Sequence, residues 1–321
     1  MKVVSLEDSE QPTRGSAVTI GAYDGVHLGH RQLIAQLRRL AGERNLVSVV
    51  VTFDRHPATV LRPGSAPPLL TDLDQKLELL EHCGVDEVLV IHFDRARSEE
   101  SAEDFVNEVL VRRLNARLVV VGENFHFGHD RRGDVALLEA MGGSLGFEVI
   151  SLEMVDVEGH GAVSSTVVRR LIAAGDVAGA ARLLGRAHEV RGVVVSGDRR
   201  GSRVLGFPTA NVAVDASIAL PAEGVYAGWY VRAGTGPFSQ ATLHPAAISV
   251  GRRPTFYRDR PDAQLVLEAH LLDFDDELYG ERAGVRFEAW LHPQREFAQV
   301  DELVEQMRID VAAARATVEA T

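Results

Sequence analysis

Ala17-Val18-Thr19-Ile20-Gly21-Ala22-Tyr23-Asp24-Gly25-Val26-His27-Leu28-Gly29-His30 passes from a small, β-branched run through a glycine turn into a helical pattern that continues from Arg31 to Ala41. The first four residues read as a buried strand. Gly21, Gly25 and Gly29 let the backbone come close to a ligand, and a helix start offers free N–H groups and the positive end of its dipole to an anion. His27 and His30, three residues apart, project from one face of that first turn. Lys2 and Lys76 are the only lysines, so a Walker-type lysine is excluded and phosphate chemistry falls to Arg, His, backbone N–H groups and metal. Two imidazoles at a helix N-terminus form such a site. The same letters also fit a plain strand-to-helix turn with surface histidines, or a two-histidine zinc site, which would need a third ligand where no nearby Cys or clear Glu supplies one.

Outward from this turn, Leu46 to Phe53, Glu87 to Phe93, Arg117 to Val121 and Phe147 to Leu152 read as further strands buried on both faces. Between them lie helical stretches over Asp72 to Cys83, Ser101 to Leu114 and Asp134 to Met141, the second opened by Ser101 with Asp104 as a loose capping pair. Alternating strands and helices predict a Rossmann-like parallel α/β sheet with helices on both faces. Helices over Thr166 to Ala174 and Val177 to Leu184 close this part. Beyond His188, short strands follow one another without helices: Glu189 to Val195, Ala210 to Val214, Tyr226 to Arg232, Ala241 to Val250, Leu265 to Leu272 and Val285 to Leu291. With a last amphipathic helix, Asp301 to Val318, they predict a small antiparallel barrel. The junction near Gly185 to Ala187 divides the chain into residues 1–186 and 187–321.

Composition narrows the function classes. The 321 residues are 45% apolar and 25% charged, which excludes disordered and fibrous classes. Both parts are acidic, with 20 basic against 27 acidic residues up to Arg186 and 14 against 19 beyond. A protein gripping a nucleic-acid backbone or an anionic membrane would show a basic domain or stripe, so the anions expected here are small and held locally. Cys83 alone allows no intramolecular disulfide and no cysteine zinc cluster, in keeping with a reducing cytoplasm. The N-terminus turns acidic at Glu7 and Asp8 before any apolar signal region develops, and the apolar run around Val47 to Val51 is too short to span a bilayer. A cytoplasmic chain is the expectation, and homo-oligomerisation is left open.

Further motifs carry their own local readings. Gly122 to Gly133, with Phe125 and Phe127, is either a ring-stacking loop or a plain strand-end loop over two core phenylalanines. Ser164-Ser165-Thr166 stands before a helix as a cap that can also reach phosphate, and Arg169 one turn on could fork onto phosphate oxygens or face solvent. Gly192 to Gly206 is glycine- and arginine-rich and runs into Phe207-Pro208-Thr209-Ala210-Asn211, where Thr209 and Asn211 alternate onto one side of a strand, as a Mg²⁺–phosphate site wants. Glu268 sits mid-strand as an exposed-face residue or a general base. Competing matches fail on context: Gly142 to Gly146 follows a helix rather than a strand, Asp273 to Leu278 lacks a calcium loop's glycine, and no dinucleotide fingerprint occurs.

The His-x-Gly-His turn resembles the signature of the nucleotidylyltransferase superfamily. With Thr52-Phe53-Asp54-Arg55-His56-Pro57, Gly122-Glu123-Asn124-Phe125-His126-Phe127-Gly128 and Ser164-Ser165-Thr166 before Arg169, the first part resembles the adenylyltransferase half of the bacterial bifunctional riboflavin kinase/FMN adenylyltransferase (FAD synthetase) family. Phe207-Pro208-Thr209-Ala210-Asn211, Gly224-Val225-Tyr226, Gly251 to Phe256 and Glu268-Ala269-His270 resemble its riboflavin kinase half. The resemblance implies a six-stranded Greek-key barrel that phosphorylates riboflavin to FMN, and an α/β domain that transfers AMP to FMN, giving FAD and pyrophosphate. It implies His27 and His30 in catalysis of adenylylation, with ATP and FMN on Gly21, Asp24, Gly25, Gly29, Asn124, Ser164, Ser165, Thr166 and Arg169. For the kinase it implies ATP and riboflavin on Gly197, Gly201, Arg203, Gly206, Pro208, Thr209 and Asn211, Mg²⁺ on Thr209 and Asn211, and Glu268 as the base for the ribityl hydroxyl. Arg55, Ser249 and His292 depart from the family pattern. The alternatives are a monofunctional nucleotidylyltransferase with an accessory barrel, and a barrel that holds flavin as a regulator without turning it over.

Overall fold

The computed structural model describes residues 1–8, 11–153, 156–157, 161–196, 208–234, 236–252 and 265–320. Its first unit, Met1–Ser165, is built on six strands: β1 (Lys2–Ser5), β2 (Ser16–Ile20), β3 (Val47–Phe53), β4 (Glu87–Ile91), β5 (Ala116–Gly122) and β6 (Glu148–Leu152). They lie in the order β1-β4-β3-β2-β5-β6, and every neighbouring pair is parallel. The helices are α1 (Leu28–Glu43), α2 (Pro57–Leu61), α3 (Leu73–His82), α4 (Arg95–Ser98), α5 (Ala102–Phe105) and α6 (Val135–Leu145). A small antiparallel pair, β7 (Asp156–Val157) and β8 (Gly161–Ala162), follows.

The pleat sorts apolar side chains onto two faces, and both are covered, as parallel sheets require. On one, Val18, Ile20, Val49, Val51, Val119 and Val121 meet Phe105, Val106, Val109 and Leu110. On the other, Ala17, Leu118 and Val120 meet Leu37 and Leu40 of α1, and Val50 and Val88 meet Ile34 and Leu80. Ser101 caps α5 as its sequence suggests, accepting the Asp104 N–H at 3.0 Å. Past Phe105 the winding widens to a π-helical run, Val106–Arg113, where the Leu114 N–H reaches back five residues to the Val109 carbonyl. From β2 the chain adds β3 and β4 on one side, then reverses and adds β5 on the other. The carboxyl ends of β2 and β5 therefore flank the switch point at which open α/β sheets bind ligands.

The second unit, Thr166–Thr321, holds α7 (Ser165–Ala173), which starts one residue before it, α8 (Val177–Leu184) and six strands: β9 (His188–Val195), β10 (Ala210–Val214), β11 (Gly224–Gly234), β12 (Thr242–Arg252), β13 (Leu265–Leu271) and β14 (Arg282–His292). They close into an antiparallel barrel in the order β10-β13-β12-β11-β14-β9. β14 returns beside β11, the first strand of the β11-β12-β13 meander, which is Greek-key topology. Tyr226, Tyr230, Ile248, Val250, Ala269, Val285 and Phe287 fill the core, and α9 (Val300–Glu319) packs on β11 and β12. The compact units meet after Ser165, and within the second unit α8 lays its buried Ala180, Leu183 and Leu184 face against β14 and β9.

At Gly228 the barrel wall leaves no room for a side chain. The β11–β14 register slips between Ala227 and Gly228, and a Cβ added at Gly228 would collide with the Arg286 carbonyl oxygen. No rotamer relieves a backbone clash, so Gly228→Ala is expected to destabilise the second unit by at least the roughly 1–3 kcal/mol of an overpacked core. Thermal unfolding followed by calorimetry checks this, and an unchanged profile would show that the strands can part there without cost.

Candidate active sites

In the first unit the turn after β2 is held from below by a carboxylate. Asp24 is buried, and it accepts the Leu70 N–H at 2.9 Å, the Thr71 N–H at 3.1 Å and the Thr71 hydroxyl at 3.3 Å. Thr71 Oγ1 in turn accepts the Gly25 N–H at 3.1 Å. Hydrogen bonds to an ionised acceptor are the strong ones, and here they fix a strained backbone: Tyr23, Gly25 and Val26 have φ of 49°, 81° and 38°. For β-branched Val26 that region is costly unless its surroundings enforce it. From the other side, Ser165 Oγ donates to the Asp24 carbonyl at 2.9 Å. Asp24 thus shapes the turn on which the histidines stand.

His27 is the N-cap of α1, and its Nδ1 accepts the His30 N–H at 3.3 Å. An accepting Nδ1 leaves the His27 proton on Nε2 as a donor. The two imidazoles stack, with centroids 3.6 Å apart and planes 16° from parallel, and Gly29 makes room for the His27 ring, which a Cβ there would meet at 3.3 Å. His30 also lies against Tyr23, centroids 4.9 Å apart. The Tyr23 hydroxyl bonds Thr19 Oγ1 at 2.7 Å, and burial pushes the phenol well above its ordinary range. His30 Nδ1 is enclosed and has no hydrogen-bond partner among the described residues. Burial first, and then the neighbouring His27 and Lys76, push the His30 pKa well below the ordinary histidine value. α1 has no acidic residue in its first turn to compete with an anion.

The other predicted residues lie on several separate elements. Gly21 sits over the Tyr23 ring, which a Cβ would meet at 3.1 Å. Asn124 is exposed in the loop that leaves β5, its amide donating to Glu123 at 3.3 Å. In the same loop Phe125 stacks on Phe127, centroids 5.4 Å apart, and Phe127 is buried in the core. Ser164 is half-buried beside Ser165. Thr166 and Arg169 follow on α7 and belong to the second unit. Sequence reasoning set Lys76 aside, yet it lies buried at the turn, donating to the Ala22 carbonyl at 3.3 Å and the Phe53 carbonyl at 2.7 Å.

In the second unit a cleft of about 290 Å³ runs between the outer wall of the barrel and α9. The pleat of β13 buries Leu267 and Ala269 and turns Glu268 and His270 outward, half-buried, into this cleft. Glu268 stands in register with Asn211 of β10 and Ser249 of β12, which puts the three side chains on one face. Thr209 lines the cleft, and His270 Nδ1 donates to the neighbouring Pro208 carbonyl at 2.8 Å. Asn211 is buried, and its Oδ1 has no partner among the described residues. The unusual Ser249 and His292 are both engaged. Gln294 Nε2 donates to Ser249 Oγ at 2.8 Å, and His292 Nε2 meets Asp310 Oδ1 of α9 at 2.8 Å, with Gln306 on the same oxygen. Sequence reading missed Gln294, Gln306 and Asp310, whose only signal is the helical spacing of the last two. Gly197, Gly201, Arg203 and Gly206 lie outside the described residues.

Two family models match the chain in succession, FAD synthetase over residues 9–167 and riboflavin kinase over residues 184–318. Curated relatives include the bifunctional riboflavin kinase/FMN adenylyltransferases of Escherichia coli K12, 38% identical over 96% of this chain and 94% of the relative, and of Bacillus subtilis, 32% identical over 92% and 90%. A crystal structure of a Streptococcus pneumoniae protein described as a macrolide-efflux protein superposes with a TM-score of 0.84 at 29% identity, covering 98% of this chain and 99% of that one. Among the described residues no helix is long and apolar enough to cross a membrane.

A neutral His30 has a measurable signature. Its depressed pKa means that on acidification the unfolded chain takes up a proton that the folded chain refuses, so this group's share of stability is intact above pH 6.5 and is lost as pH falls below it. In the ligand-free chain, the imidazole NMR signal assigned with His30→Gln is expected to titrate below the ordinary midpoint of about 6.5. A midpoint near 6.5 would contradict the enclosed site.

Proposed function

The chain belongs to the bifunctional riboflavin kinase/FMN adenylyltransferase family, and on that footing we propose residue roles for its two reactions, phosphorylation of riboflavin to FMN and adenylylation of FMN to FAD. Adenylyl transfer is assigned to residues 1–186 and phosphoryl transfer to residues 187–321. In the first reaction an FMN phosphate oxygen displaces pyrophosphate at the α-phosphorus of ATP. What supports the assignment is the buried Nδ1 of His30 at the N-terminus of α1, which has no partner among the described residues. A phosphate oxygen accepting from a protonated Nδ1 would satisfy it, and the His27 Nε2 proton is a second donor. Both stabilise negative charge that grows as pyrophosphate leaves. Asp24 acts by holding this turn, and Gly21, Gly25, Gly29, Asn124, Ser164 and Ser165 are assigned to the nucleotide and flavin phosphate.

In the kinase reaction the ribityl hydroxyl attacks the γ-phosphorus and ADP leaves. The register that sets Glu268 beside Asn211 supports Glu268 as the group that takes the hydroxyl proton. Asn211 Oδ1, without a partner among the described residues, suits a hard cation, and with Thr209 it would hold Mg²⁺ carried by the ATP phosphates. Bound there, the ion would neutralise phosphate charge. His270 fixes the Pro208 carbonyl and with it the approach to Thr209. The apolar cleft beneath α9 is assigned to the flavin ring.

Separate sites predict separate losses. His30→Ala should lower FAD formation from FMN about a hundredfold or more, the cost of one preorganised donor, and leave riboflavin phosphorylation near normal. Glu268→Gln should lower the kinase kcat by roughly 10²–10⁴, less if the transition state is very loose, while adenylylation of supplied FMN persists. Product chromatography of both variants reads out both activities. Equal loss of both activities in either variant, or wild-type kinase turnover by the Gln variant, would contradict these roles.

A further inference from the structure

We propose that Lys76 is a positioning residue for adenylyl transfer, its ammonium tying together the carboxyl ends of β2 and β3 and supplying the fixed positive charge next to His30. The inference rests on the adenylyltransferase reading of the His27–His30 turn. Lys76 sits in the first turn of α3, a helix fixed by a capping box between Asp72 and Gln75. The side chain is 7% exposed, and its Nζ donates to the carbonyls of Ala22, in the turn after β2, and Phe53, the last residue of β3. The same Ala22 carbonyl accepts from Thr52 Oγ1 at 3.2 Å, so two donors hold it. Burying an ammonium is expensive, and a methionine would fill such a position at no electrostatic cost.

The charged and titratable groups facing Lys76 come from three elements. Asp24 approaches from the β2 turn, Asp54 from the loop after β3, and His30 from α1. Neither carboxylate is idle: Asp24 is engaged with the backbone at 70–71, and Asp54 accepts the Phe93 N–H at 3.0 Å and meets His92 Nδ1 at 2.7 Å. Lys76 therefore balances the carboxylates without being captured by either, and its remaining N–H has no partner among the described residues. Desolvation brings its pKa down to about 8, against the pull of the two carboxylates. The free enzyme thus loses this charge as pH rises through about 8, whereas bound ATP, strongly anionic, favours the charged form and moves the loss to higher pH.

The test measures FAD formation from FMN by the full chain from about pH 6.5 to 9.5, with ATP-Mg²⁺ varied, for wild type, Lys76→Met and His30→Ala, and riboflavin phosphorylation in each preparation. Expected is a falling limb near pH 8 in wild-type kcat/KM for ATP, displaced upward in kcat, since the first reports the free enzyme and the second the complex. Lys76→Met should lack that limb and lose roughly ten- to a hundredfold in kcat/KM, the worth of charged hydrogen bonds, with phosphorylation intact. An unchanged kcat/KM in the Met variant, or the same limb persisting in it, overturns the proposal. If the Met variant does not fold, the wild-type profile decides, and a flat kcat/KM across the range overturns it. Should His30→Ala also keep full activity, the reading of the site itself has failed; should it alone lose activity, only the role of Lys76 has.

Discussion

A single buried carboxylate organises the first unit. Asp24 satisfies the N–H groups of Leu70 and Thr71, and through Thr71 it reaches Gly25. Those bonds hold Tyr23 and Val26 in left-handed conformations that their side chains disfavour. The turn so fixed sets where α1 begins, and therefore where His27 caps it and where His30 stacks. Without the clamp, nothing in the intrinsic preferences of these residues would keep two imidazoles 3.6 Å apart over a helix N-terminus. The energetic cost of the strained turn and the enclosed His30 nitrogen falls at the same place, as is common where backbone is shaped for function.

The barrel meets a different constraint. Its strands must bury alternate residues to close, which leaves the intervening positions of β13 to line whatever packs outside. Glu268 and His270 occupy such positions, and α9 converts that outer face into a cleft. A carboxylate whose neighbours along the strand are core residues cannot drift, because moving it would shift Leu267 and Ala269 from the interior. Placement of Glu268 is thus a by-product of barrel closure.

Much of this was legible in the sequence, for definable reasons. The strand–turn–helix at residues 17–41 announces itself by glycine punctuation and a change of apolar period, and the later switch to helix-free strands announces the barrel. α1 begins three residues before its periodicity, because histidine is not among the usual capping residues and its role at position 27 is visible only in the bond to the His30 N–H. β1 is four residues long at the sheet edge, too short for alternation to show. The Asp24 clamp, the bridge made by Lys76 and the roofing of Glu268 by α9 each join residues distant in the chain, which local pattern does not encode. The readings of the barrel as a regulator or an accessory give way to the two successive family matches.

The account stands on phosphate groups meeting the N-terminus of α1 beside an enclosed His30 nitrogen. The most direct test is a crystal structure of the full chain with FMN and an ATP analogue whose α,β-bridging oxygen is replaced by methylene. The account predicts a phosphate oxygen within hydrogen-bond distance of His30 Nδ1, about 2.7–3.2 Å, with Asp24 still bonded to Leu70 and Thr71. A nucleotide bound in the first unit with its phosphates away from α1, and His30 Nδ1 still without a partner, would contradict it.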